Sequence, residues 1–537
     1  MARLGIDFGT TNTVAVIHDR GVFSVVLHRA DTGAGTIVQD VFPSAILIDK
    51  RSGKHWFGLE ADRLFGQRGP GPDHVFLPSL KRHLWSYAEG HSVSSGHEPR
   101  PRARDVAAGL EQFDIGKLLT GFLQSLAESI RASGMIDPGE PLETVITWPA
   151  NANGAQRYIT RKCFREAGFD VLSTLNEPTA SAIELADCIT AGRGAGKDDR
   201  EPSAVAVFDL GGGTFDASVV WIEGDEFEVL ASGGIEDLGG DDFDRALLDM
   251  FLERFKLRDE ALSPLTRHAL LRQARSQKET IAGGVVRSLF LNPLDFGLDC
   301  PPVSIAVEAY FERIRPMLKP AIAMLKKVIV SAAAKERRVR TGSSLTVYLV
   351  GGSSKLPLVA HMVSDAFPEC RVILTDKPFT SVAMGAAICA TDRVTYRDVF
   401  ARHFGLLRLK DNGQSEVFDI IFPAGTPIPR KGEKPLERCA WYHPRHNIGH
   451  LRYLECTSVG ANGLPDGNVR HWSDVFFPYD PLLPIDHRAS VADVVATNQF
   501  ADMPACEVYR CDSDGVITVE LRRPTKNDSR IHEIYRD

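Results

Sequence analysis

Short apolar runs recur through the first three quarters of the chain, each closing on small or acidic residues. They stand at LGIDFGTTNTVAVI (residues 4–17), TVITW (144–148), AVAVF (204–208), SVVWI (218–222) and LTVYLV (345–350). Runs of four to six aliphatic and β-branched residues predict buried strands, and the longer stretches between them carry a helical period, so the pattern is α/β. The longest such stretch, YFERIRPMLKPAIAMLKKVIVSAAAKERRVR, reads as an amphipathic helix interrupted by Pro316 and Pro320. Its basic end suits a solvated helix C-terminus that complements the backbone dipole. After about Arg397 the texture changes to short alternating strands punctuated by KDNG, PAGTP, ANGLPDGN and DSDG, which predicts an all-β domain beyond a boundary at 396–403. Polar, Gly/Pro-rich segments at 91–105 and 190–203 read as surface loops.

Composition alters this picture little. The 537 residues, 43% apolar and 25% charged, suit several globular domains, and the formal net charge of −8 offers no general attraction to nucleic acid or to an anionic membrane. Nine cysteines without paired spacing fit reduced thiols better than a disulfide framework. No apolar stretch approaches the roughly 18 residues of a membrane helix, so the expected location is the cytoplasm.

The chemistry begins with a duplication. Asp7 in DFGTTN and Asp209 in DLGGGT each end an apolar run before a turn of small residues and a second run, and they lie 202 residues apart. Small residues at such a turn let backbone N–H groups point into one concavity, which suits a phosphate chain, and the hydroxyls of Thr10, Thr11 and Thr214 add donors. Facing aspartates across a cleft suit a hydrated magnesium ion. Either turn alone is a Gly-rich hairpin; two matching copies make a two-jawed phosphate and metal site. In LVGGSSKLP, Gly351 and Gly352 permit close backbone approach by an adenosine moiety. The GAGK run at 194–197 fails as a phosphate loop, with Ala191 in place of the first glycine and Asp198 in place of Ser or Thr.

These residues resemble the actin, hexokinase and sugar-kinase superfamily and, within it, the 70-kilodalton heat-shock chaperones. VITWPANANGAQR, NEPTASA and EVLASGGIEDLGGDDFD extend the likeness over nearly the whole chain. The resemblance implies a two-lobed, actin-like ATPase with a duplicated core (1–395), a linker (396–403) and a β-sandwich that binds extended apolar peptides (404–537). It implies ATP/ADP and Mg2+ as cofactors. Gly9, Thr10, Thr11 and Asn12 would form the first phosphate turn, and Gly211, Gly212, Gly213 and Thr214 the second, with Gly239, Gly240, Lys278, Gly351, Gly352, Ser353 and Lys355 around the nucleoside. Lys81 in SLKRHLW resembles the lysine that contacts the γ-phosphate and attacking water, and Asp209 would orient that water. Glu177, Asp7, Asp209 and Asp216 resemble carboxylates that reach magnesium through water. Pro149 and Arg157 match a relay from nucleotide to partner domain.

Several positions depart from the family pattern. Arg275 replaces a glutamate that contacts ribose, Lys355 replaces an arginine that stacks on adenine, and Ser173 replaces an arginine that contacts J-domain proteins. The expected linker offers Val399 and Phe400 instead of a leucine run between two aspartates, and the chain stops at Asp537 without room for the family's helical lid. Cys439, His443, His446, His450 and Cys456 have ligand chemistry that suits zinc, but exposed histidines beside a hairpin explain them more simply. The expected function is a lidless, ATP-hydrolysing chaperone-like protein whose β-domain binds unfolded or extended polypeptide, with a J-domain co-chaperone and a nucleotide exchange factor as implied partners. The rival is a nucleotide-switched interaction protein that docks one dedicated partner.

Overall fold

The computed structural model describes residues 2–31, 35–68, 73–84, 113–193, 202–259, 262–298, 301–339, 345–410, 414–499, 503–523 and 529–534. The whole of the loop expected at 91–105 and the GAGK run lie outside the described residues. The chain divides into two compact units. The first holds the described residues of Met1–His83, Pro99–Asn151 and Cys163–Thr395, the second those of Leu84–Glu98, Ala152–Lys162 and Tyr396–Asp537.

Two sheets organise the first unit, and each is built on one of the duplicated motifs. In the first, β1 (Arg3–Phe8) and β2 (Asn12–Asp19) form an antiparallel hairpin in which Asp7 faces Val14. β3 (Leu142–Trp148) runs parallel to β1, and β4 (Phe169–Asn176) runs parallel to β3. Both strands of the first hairpin are buried along most of their length, because helices cover the sheet; Val14 and Val16 pack against Ala383 and Ala387. The second sheet repeats the plan: β5 (Ser203–Leu210) and β6 (Phe215–Glu223) pair with Asp209 facing Asp216. β7 (Glu226–Ile235) continues the antiparallel run, while β8 (Leu345–Val350) lies parallel to β5.

The helix Val307–Lys335 is continuous, where the prolines predict an interruption. Its buried stripe of Tyr310, Ile314, Leu318, Ala321, Leu325, Val328 and Ala332 keeps one helical face across both prolines. Pro316 and Pro320 are exposed, so the carbonyls they leave without an amide partner lie on the wet side of the helix. Burial of the stripe against the second sheet outweighs the lost hydrogen bonds.

The second unit is a β-sandwich. One sheet has the order Ser415–Phe422, His403–Lys410, Ile448–Val459, Pro465–Pro478; the other has the order Leu436–Tyr442, Ala505–Cys511, Ile517–Arg522, Ser529–Glu533. Phe404, Leu406, Tyr453 and Phe477 from the first sheet meet Tyr509, Ile517 and Val519 from the second in one core. Val399 and Phe400 belong to this unit: Val399 bridges Pro427, and Phe400 is buried with its ring stacked 5.3 Å from Phe422. An ionic cluster leads from the buried Glu507 out to the partly exposed Asp419. Arg408 Nη2 donates to Glu507 Oε2 at 2.6 Å, Arg408 Nε donates to Asp419 Oδ2 at 2.6 Å, and the Tyr509 hydroxyl donates to Glu507 Oε2 at 2.6 Å. Glu507 is 0% exposed.

Candidate nucleotide-binding site

The two hairpin turns meet at Thr11 and Gly212. A Cβ placed on Gly212 would stand 2.2 Å from Thr11 Oγ1, and one on Gly213 would stand 2.6 Å from Thr10 Cγ2, so only glycine admits this approach. The second turn is braced from within and from the following helix. Gly211 N–H donates to Thr214 O at 3.1 Å, while Gly240 N–H donates to Gly211 O at 3.0 Å and Asp241 N–H to Gly212 O at 2.8 Å. On the first turn, Ser44 Oγ donates to Gly9 O at 2.8 Å and Ser44 N–H donates to Thr11 O at 2.9 Å. Asn12 opens β2 directly after this turn.

Carboxylates from both sheets surround one lysine. Lys81 opens a short 3-10 turn, and its Nζ lies 2.6 Å from Glu177 Oε1 and 5.8 Å from the centre of the Phe8 ring. Glu177 is the first residue of the helix Glu177–Arg193, where the backbone dipole favours an acid. Thr147 Oγ1 donates to Asp7 Oδ1 at 3.4 Å, and Asn151 N–H donates to Asp216 Oδ1 at 3.2 Å. Burial, reinforced by the charge of Glu177, pushes Asp7 up to about 7 and Asp216 up to about 7. Asp209 is driven well above the usual carboxylate range by burial and then by Glu177, Asp216 and Asp7. Burial alone would lower the Lys81 pKa, but Glu177, Asp7 and Asp216 together leave it raised. Four carboxylates thus share one lysine, a surplus of negative charge that a divalent cation would neutralise. Among the described residues no three His, Cys, Asp or Glu side chains converge closely enough to chelate an ion directly. The buried surplus of carboxylate is what a hydrated magnesium ion would fit.

A third element closes on the second turn. Gly351 has φ +84°, and a Cβ there would lie 2.4 Å from Leu210 O and 2.6 Å from Asp209 Oδ1. Ser353 Oγ donates to Gly211 O at 2.8 Å. Lys278 Nζ donates to Gly240 O at 2.9 Å and lies 2.7 Å from Asp244 Oδ1; Gly239 N–H donates to Asp242 Oδ2 at 3.0 Å. Arg275 is drawn into the same group, with Nε 2.9 Å from Asp244 Oδ2 and Nη2 2.5 Å from Asp241 Oδ1. These carboxylates raise its pKa against the opposing effect of burial.

Sequence reading missed Arg82. Its Nη2 lies 2.9 Å from Asp241 Oδ2 and donates to Gly212 O at 3.4 Å, so it spans the two halves of the site beside the phosphate turn. The paired basic residues in SLKRHLW were the available signal, but only the tertiary position of Asp241 reveals the second one's partner.

A family model described as Hsp70 protein matches residues 102–405, more than half of the chain. The chain belongs to the Hsp70 family. It is 33% identical over 443 residues to a chaperone protein HscA homolog of Haemophilus influenzae (strain PittGG), covering 79% of this chain and 64% of that one. It is 29% identical over 444 residues to an HscA homolog of Acidithiobacillus ferrooxidans (strain ATCC 53993 / BNL-5-31), with the same coverage. With the chaperone protein HscA of Enterobacter sp. (strain 638) it shares 31% identity over 397 residues, 72% of this chain and 57% of that one. The chain thus spans just under two thirds of the length of the first curated relatives it matches.

Ser173 sits on β4, paired with Val145. Pro149 directly follows β3, and Arg157, buried in the helix Gly154–Glu166, donates from Nε to Ala152 O at 3.1 Å. Cys439 is exposed and Cys456 buried on different strands of the sandwich, and His450 stacks on Phe476 with ring centres 4.7 Å apart. Among the described residues no helix is long and apolar enough to cross a membrane.

Proposed function

We propose that the first unit binds and slowly hydrolyses ATP with magnesium, and that nucleotide state governs polypeptide binding by the sandwich. The supporting observation is the buried group of Asp7, Glu177, Asp209 and Asp216 around Lys81, beside two turns in van der Waals contact. Backbone N–H groups of the turns, with Thr10, Thr11 and Thr214, hold the phosphates. Asp209, with a raised proton affinity, accepts a hydrogen bond from the attacking water and orients it. Lys81 stabilises charge on the transferred phosphoryl group, and Glu177 holds its ammonium in place. Asp7, Asp209 and Asp216 would hold a magnesium ion through water, which would further neutralise the phosphate charge.

The named relatives are chaperones, which supports an extended polypeptide as ligand of the sandwich. The burial of Val399 and Phe400 within the sandwich favours the rival, one dedicated partner, since an apolar linker packed away has less freedom to report nucleotide state. Phosphate release from Mg-ATP by purified protein tests the first step, and no release above background with or without peptide overturns it. Capture from native lysate then separates many clients from one partner.

A further inference from the structure

Phe379 is 43% exposed, although the residues that follow it, Thr380 and Ser381, are buried. It stands in a turn ahead of the helix Ser381–Ala390, held where Thr380 N–H and Ser381 N–H both donate to Lys377 O at 3.0 Å. An exposed phenyl ring on so constrained a turn is fixed in place without being part of a core. Its surroundings identify that place. The ring edge rests on the Gly-Gly turn: a Cβ on Gly352 would lie 2.6 Å from one of its carbons. Lys355, at the end of the same turn, holds its ammonium 5.0 Å from the ring centre, a cation-π distance. From Gly352 the contacts lead inward to the phosphate turn, because Ser353 Oγ donates to Gly211 O at 2.8 Å. The ring therefore lies at the outer end of a path that starts at the phosphate turn and passes the strand-to-helix glycines.

We infer that Phe379 is the platform on which the nucleotide base stacks, with Lys355 holding the ring in orientation. This rests on the nucleotide reading proposed above and adds a base-binding residue to it. A planar purine laid beside Gly352 meets an aromatic face there, so Lys355 acts on the ring and need not stack on the base itself. Stacking on an aromatic face is tolerant of base identity, since every base presents a π-face. The site should then grip a purine firmly while discriminating weakly between purines.

The test is calorimetry with Mg-ATP and with magnesium tripolyphosphate, which lacks sugar and base, on the wild type, Phe379→Leu and Phe379→Trp. Leucine keeps the apolar bulk and so guards against misfolding. F379L should weaken Mg-ATP about five- to tenfold, the range expected for one lost aromatic stack, and leave tripolyphosphate affinity unchanged. F379W should restore Mg-ATP affinity, and its added indole emission should be quenched by Mg-ATP and not by tripolyphosphate. Equal weakening of both ligands, unchanged ATP affinity in F379L, or tighter ATP binding on loss of the ring would each overturn the assignment. If the wild type binds tripolyphosphate but not ATP more tightly, the platform fails and the phosphate site stands. If it binds neither, the nucleotide reading fails as well.

Discussion

Two of the ionic clusters among the described residues, one in each unit, are built on opposite principles. In the sandwich, Glu507 accepts from Arg408 and Tyr509, and Arg408 also reaches Asp419, so each buried charge has hydrogen-bond partners. In the first unit, Asp7, Glu177, Asp209 and Asp216 share Lys81, and burial drives all three aspartates upward in pKa. A satisfied cluster locks one arrangement of the core and has no electrostatic need of a ligand. An unbalanced one is costly to fold and gains when a cation enters, which is the mark of a site. Burial alone would not separate the two; the balance of charge does.

The contrast is sharpest if each cluster is broken. Glu507→Ala should leave Arg408 charged and half-satisfied, destabilising the sandwich by about 3–5 kcal/mol; chemical denaturation followed through the second unit measures it, and a loss below 1 kcal/mol would contradict the structural role. ATP turnover per folded molecule should be unchanged. Asp209→Asn should do the reverse, lowering turnover on the order of a hundredfold with little loss of thermal stability, while Lys81→Ala should lower turnover as far and also destabilise the first unit, because Glu177 loses its buried partner. Unaltered turnover in either variant would remove that residue from the mechanism.

A third expectation concerns a buried group outside both clusters. Burial lowers His28 to about 4, and its Nδ1 lies 2.8 Å from Ser129 Oγ. Between about pH 6.5 and 4 the unfolded chain therefore binds a proton that the folded unit does not, so stability falls as pH falls through that window. At pH 5 the loss from this one group is about 2 kcal/mol. Melting curves at pH 7.5 and pH 5 should converge for His28→Asn relative to the wild type, and an identical pH slope in both proteins would refute it. The smallest effect is base choice: ATP and GTP affinities should differ by less than about tenfold, as competition calorimetry would report.

Legibility from sequence tracked how local each feature is. Strands such as Thr144–Trp148 and the two hairpins are written in contiguous residues, and the aspartates at their ends are marked by the sequence alone. The continuous helix through Pro316 and Pro320 was not legible, because its stability comes from strands more than 70 residues upstream in the chain. Nor was the clasp formed by Arg82, Asp241, Arg275 and Asp244, whose members come from three separate elements. Arg275 shows the limit clearly: aligned with a ribose contact, it is held by two carboxylates that only the fold brings near. The sandwich cluster was equally hidden, since Arg408 and Glu507 are 99 residues apart and neither sits in a motif.

The contact between Thr11 and Gly212 carries an evolutionary consequence. A hydroxyl already fills the space that any side chain at 212 would need, so the clearance between the turns is smaller than one methyl group. The two halves of the duplicated core cannot then drift independently at this point. A lineage that gained a side chain at 212 would have to give one up at 11, and positions 11 and 212 should therefore change as a pair, bulk on one turn exchanged for bulk on the other.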